Sequence, residues 1–66
     1  MELTNAQAAE VVKYWSDLVS DTPAKNDPDV DAEFRAAVAA LMMNQNEMAA
    51  NYAQRGYFLA IGPRRA

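Results

Sequence analysis

The chain has 66 residues, a net charge of −3, and neither Cys nor His. One short domain, taken here as 1–66, is all that length allows, and a chain of about 60 residues buries only about 60% of the surface it exposes when unfolded. Lack of Cys excludes disulfides and thiolate metal sites, and lack of His removes the commonest transition-metal ligand and general base, so oligomerisation is the expected staple.

The first element is a helix expected over about 5–20. Thr4 and Gln7 form a capping box, in which the hydroxyl takes an orphan amide and the Gln side chain reaches back. Ala8, Val11, Val12, Trp15, Leu18 and Val19 then trace one helical stripe, with Glu10, Lys13, Asp17 and Ser20 on the other side. Trp15 lies mid-stripe and is the expected anchor of the core. The chain opens Met1-Glu2-Leu3-Thr4, without a basic segment or an apolar leader. No run approaches the roughly 20 apolar residues of a membrane span. The expectation is a cytoplasmic protein with no membrane partner.

Residues 20–28 contain Pro23, Asn26, Asp27 and Pro28 and read as a loop. Asp27-Pro28 starts a second helix, with Asp as N-cap and Pro at the first helical position. Asp29, Asp31 and Glu33 place negative charge where the helix dipole favours it. Asp27, Asp29 and Asp31 also open like a calcium loop, but Ala32 stands where that loop needs Gly and Val38 where it needs Glu. No metal and no cofactor are expected.

The second helix is expected over about 28–55. Phe34, Val38, Leu41, Gln45, Met48 and Tyr52 follow at spacings of four, three, four, three and four, a heptad-like seam with one polar member. Ala36 to Met43 are eight apolar residues in a row, and Glu47 is the only charge between Arg35 and Arg55. Such a helix lacks the charged face of a lone surface helix and requires neighbours. At 1.5 Å per residue the first helix is roughly 24 Å long and the second roughly 42 Å. In a hairpin, Met48, Ala49, Tyr52 and Ala53 are then left uncovered, for another subunit or for the tail to cover. Gly56 is the favoured stop; a bent or continuing segment through Ile61 to Gly62-Pro63 is the alternative. Tyr57 to Ile61 form an apolar C-terminal extension, and Arg64, Arg65 and Ala66 are expected to fray.

Asn44, Gln45, Asn46, Asn51 and Gln54 make an amide-rich patch, and Asn44 and Asn51, seven apart, share a face of a continuous helix. Amides at a seam fix register or grip a polar ligand. Met42, Met43 and Met48 suit either a core or an adaptable binding face. Charge divides along the chain: residues 1–34 hold eight acids against two lysines, net −6, and residues 35–66 hold four arginines against Glu47, net +3. An acidic chain is a poor binder of nucleic acid, which needs a basic face to displace counterions.

The expected fold is therefore all-α, an antiparallel two-helix hairpin with a short apolar extension, assembled as a homo-oligomer. The expected function is non-enzymatic. Catalytic residues are not expected, and the chain is read as a binder of itself and another protein. The interface residues are Phe34, Val38, Leu41, Met42, Gln45, Met48, Ala49 and Tyr52. By compositional analogy alone, such a chain suits an accessory or inhibitory protein of a bacterium or phage. Two alternatives stand. One is an oligomer that sequesters a small anionic ligand such as a nucleotide, through Asn44, Asn51, Arg55 and Tyr57. The other is a structural subunit of a larger assembly.

Overall fold

Three helices, not two, build the protein. The structure, a computed structural model, describes residues 2–62. It shows α1 (Asn5–Ser20), α2 (Pro28–Met42) and α3 (Asn46–Ile61), with no strand among the described residues. Both expected helix starts are present. The Thr4 side chain accepts from the Gln7 amide at 3.1 Å, and the Gln7 side chain accepts from the Thr4 amide at 3.0 Å. The Asp27 carboxylate accepts from the Asp29 amide at 2.8 Å, with Pro28 next in line. Between these helices Thr22 closes the end of α1, its amide and hydroxyl both donating to the Val19 carbonyl.

The long second helix breaks where the sequence reading carried it straight on. Asn44 takes a left-handed conformation, φ 59°. The Gln45 amide donates to the Ala40 carbonyl at 2.8 Å and the Asn44 amide to that of Leu41 at 3.1 Å, a standard helix stop closed by a left-handed residue. Asn tolerates that region because its short polar side chain interacts locally, whereas most residues are strained there by their Cβ. Gln45 then caps α3, its carbonyl accepting from Ala49. Two helices are thus joined by three residues and must double back.

The end of the chain is corrected in the same way. Gly56 does not stop a helix; it is buried inside α3, which runs to Ile61 with Gly62 as its C-cap. The extension 57–61 is the last turn and more of that helix. The physical reason lies across the interface. A Cβ on Gly56 would stand 2.7 Å from Phe34 Cε2 and 3.3 Å from Glu33 Cβ. Glycine here is a matter of space, and α3 carries the helix-propensity cost of about 1 kcal/mol in exchange for close contact with α2.

At one end of the molecule, Asn5 donates to the Leu41 carbonyl at 2.9 Å and to Asn46 Oδ1 at 3.0 Å, while Asn46 Nδ2 donates to the Leu3 carbonyl at 3.1 Å. At the other end Val19, Val30 and Ala60 pack together. So α1 lies parallel to α3, and α2 antiparallel to both. α3 is the central element: α1 and α2 each pack chiefly on it and touch each other far less. The described body measures 34 × 16 × 16 Å.

The core is made of small residues. Val12, Ala37, Ala40, Ala49 and Ala53 form one layer, with Trp15, Phe34, Leu41 and Tyr52 leaning on it. Val19, Val30 and Ala60 form the second, and Phe34 touches both. Val30 is the largest side chain that is fully enclosed. Trp15, the expected anchor, is only half-buried. Alanine faces let helix axes approach closely. They bury little, on the order of 0.8 kcal/mol per methyl against about 1.5–3 for a larger apolar side chain. Ala49 and Ala53, expected to be covered by another subunit or by the tail, are fully buried within the single chain by neither route, because the break at Asn44 folds α3 back onto α2.

Candidate protein-binding surface

Large apolar side chains that the core leaves outside fall into two groups. Around the α2–α3 turn stand Val38, Met42, Met43 and Met48 at 49%, 81%, 67% and 47% exposure. On α1 and the second half of α3 stand Tyr14, Phe58 and Ile61, each about half exposed. Among these, Tyr14, Phe58 and the half-buried Trp15 and Tyr57 form a ring cluster. Trp15 meets Tyr14 edge-on at 5.1 Å and Tyr57 at 5.0 Å between centroids, and Phe58 lies 6.2 Å from Trp15. The first is edge-on and the other two are tilted, all at the centroid separations favoured by aromatic pairs.

The turn group arises from helical phase. Ala37 and Ala40 point into the α2–α3 seam, which turns Val38 and Met42, four residues apart, onto one outward flank. Met43 is the C-cap of α2, and Met48 begins the outward face of α3 just beyond the turn. Charge is thin here, as the sequence requires: Glu47 is the only ionised residue between Arg35 and Arg55. Glu2, Leu3 and the segment Asn44–Met48 line a shallow polar hollow beside the methionines. On the flank of α2, Phe34 and Val38 line a second, more apolar hollow of about 310 Å³, together with Asp31 and Arg35. Asp31 and Arg35 are ion-paired at 2.6 Å.

The residues singled out from the sequence as an interface are distributed over inside and outside. Val38, Met42, Gln45 and Met48 are exposed. Phe34, Leu41 and Tyr52 are half-buried and lean on the alanine layer. Ala49 lies wholly inside the chain's own core. Met43 and, of the ring cluster, Tyr14, Trp15 and Phe58 were not singled out as site residues; Tyr57 was, as a ligand contact. For Met43 the signal was its place beside Met42; for the ring cluster no local signal exists, since Trp15 and Phe58 are far apart in the chain.

The four residues read as ligand contacts are not brought to one place. Asn44 is the left-handed residue of the turn, its Oδ1 3.4 Å from Asn5 Nδ2. Asn51 is exposed on α3, no longer in helical phase with Asn44. Arg55 stands over the Tyr52 ring at 5.9 Å and pairs with Glu33 at 3.8 Å. Tyr57 packs in the ring cluster, roughly 16 Å along the helix from Asn46. The acids at the start of α2 have structural tasks: Asp27 caps the helix and Asp31 holds Arg35. Among the described residues no group of three His, Cys, Asp or Glu side chains is arranged to hold a metal ion. No helix among them is long and apolar enough to cross a membrane. Comparison with protein-family models, with characterised proteins and with solved structures finds no match for this chain.

Proposed function

We propose that this chain is a non-enzymatic protein-binding module that works through the weakly charged outer surface around its α2–α3 turn, and that it self-associates through part of that surface. One observation carries the reading: Val38, Met42, Met43 and Met48 remain roughly half exposed or more while alanines fill the interior. Interface cores are depleted of charge and enriched in methionine and aromatic residues. Unbranched, polarizable methionines adapt to varied partner shapes. A three-helix body presenting apolar side chains around one turn suits an accessory or inhibitory role.

Affinity capture from the source cells, with wild type and Met42→Glu/Met43→Glu compared side by side, tests the reading. Both positions are largely exposed, so the double variant keeps its helical circular dichroism. A protein retained by the wild type and lost by the folded variant is the expected result. A captured protein that the variant holds equally well, or thermal stabilisation of the chain by a nucleotide with no protein captured, rejects it.

A further inference from the structure

We propose that the Asn5 side chain is a latch across the α2–α3 turn, and that its release opens the end of the molecule carrying Met42, Met43 and Met48 while the opposite end stays packed. The Asn5 amide spans the turn. Its Nδ2 donates to the Leu41 carbonyl, in the last turn of α2, at 2.9 Å. It also donates to Oδ1 of Asn46, the first residue of α3, at 3.0 Å. Asn44 Oδ1, within the turn, lies 3.4 Å away. Asn46 answers from the other side, its Nδ2 donating to the Leu3 carbonyl at 3.1 Å. One side chain thus holds the end of one helix and the start of the next, and the bond from Asn46 ties the N-terminal segment down beside them.

Other restraints on this end are thin. The Gln45 side chain makes no cap bond to the amides that open α3. The backbone bonds of the stop, from Gln45 to Ala40 and from Asn44 to Leu41, close on α2 and do not set the direction in which α3 leaves. Ala40 and Ala49, next along the seam, bring one methyl each. The opposite end is closed differently, by Val19, Val30 and Ala60, with Val30 fully enclosed. One end is therefore held by apolar packing and the other by polar bonds in reach of water, where each bond contributes little. An end of that kind opens locally, well before the whole fold does.

The latch sits under the surface assigned above to protein binding. Met42 and Met43 belong to the α2 side of the turn and Met48 to the α3 side. Glu2 and Leu3 form one wall of the hollow beside them. A closed latch fixes the two methionine groups relative to each other and keeps that wall in place. Release lets both groups adapt to a partner, so the latch restrains binding. This consequence rests on the turn being a protein-binding surface; the latch itself rests on intramolecular geometry alone.

Hydrogen exchange of the full chain, followed amide by amide by NMR, tests the latch on wild type, Asn5→Ala, Asn46→Ala and the double variant. Asn5 is exposed, Asn46 is half-buried and alanine is the better helix former, so helical circular dichroism should be unchanged. The Gln45 and Ala49 amides, bonded to the Ala40 and Gln45 carbonyls, report on the turn. The Thr22 and Asp31 amides, bonded to the Val19 and Asp27 carbonyls, report on the far end. Each single variant should speed exchange at Gln45 and Ala49 roughly five- to tenfold and leave Thr22 and Asp31 within about twofold. The double variant should exceed the faster single by no more than about twofold, because both residues act in one network. Unchanged exchange at Gln45 and Ala49 overturns the proposal. So does equal acceleration at both ends, which marks a general loss of stability, or multiplication of the two effects, which marks independent bonds. Affinity capture addresses the restraint on binding: Asn5→Ala should hold a captured partner roughly fivefold more tightly, in step with the open population. Unchanged or weaker capture beside a faster turn rejects the restraint and leaves the latch standing. A wild type that captures nothing rejects the wider reading and not the latch.

Discussion

Toward its C-terminal end, the inner and outer faces of α2 reverse the usual sorting of side chains by size. Inside, Ala37 and Ala40 are buried against Ala49 and Ala53; outside, one residue away in sequence, Val38 is half exposed and Met42 four-fifths exposed. In most domains the larger apolar side chains go in. Here close approach of two helices takes precedence, because a three-residue connection at Met43–Gln45 holds α2 and α3 together at one end. Small residues on the inner face are what such a crossing admits. The larger ones are displaced outward, where they stabilise the fold little and are available for contacts with other molecules.

The comparison can be broken most forcefully from the inside. Ala53→Leu adds bulk to a site with no exposure, and overpacking of this kind costs about 1–3 kcal/mol. For a core this thin, chemical denaturation should show a large fall in midpoint or no cooperative transition. If Ala53→Leu stabilises the protein, the alanine seam is looser than described.

The turn is the next place to press. Asn44→Val puts a β-branched residue at φ 59°, with an expected loss of roughly 1–2 kcal/mol, while Asn44→Gly should be neutral or slightly stabilising. Thermal melts of the two variants should therefore move apart. Equal melting points would show that the left-handed stop does not hold the hairpin.

Gly56 gives a finer reading. In an open helix Gly→Ala gains about 1 kcal/mol. Here the added methyl meets the Phe34 ring and Glu33 Cβ, so Gly56→Ala should lose that gain and lower stability by roughly 1 kcal/mol. A raised melting temperature would mean that Phe34 moves aside at little cost.

The smallest effect belongs to the outer surface. Met43→Lys is expected to change stability by no more than about 0.5 kcal/mol, as for substitutions away from packed features. A larger loss in denaturation would place Met43 in the fold's own support.

Legibility in the sequence followed the range of the interaction. The α1 boundaries and both N-caps were readable because Thr4–Gln7 and Asp27–Asp29 bonds close within three residues. The all-helical class followed from the same periodicity. The break at Asn44 was not read, although Asn44-Gln45-Asn46 interrupts the apolar run, because the heptad spacing from Phe34 to Tyr52 continues through it. That spacing assigned Val38 and Met48 to a seam; Val38 faces outward because Ala37 and Ala40 take the seam within α2, and Met48 because the turn restarts the helical phase.

Sequence by itself determined what a few neighbouring residues settle: helical character, the capped starts at Thr4 and Asp27, and a charge-poor middle. Only the tertiary structure decided which face is interior, that Gly56 lies inside a helix rather than after one, and that Met42 stands beside a hollow lined by Phe34. The reason is physical. A cap satisfies orphan amides of its own first turn, whereas the role of an alanine, a glycine or a methionine depends on what the chain brings opposite it. For Gly56 that neighbour is Phe34, a full helix and a turn earlier in the sequence.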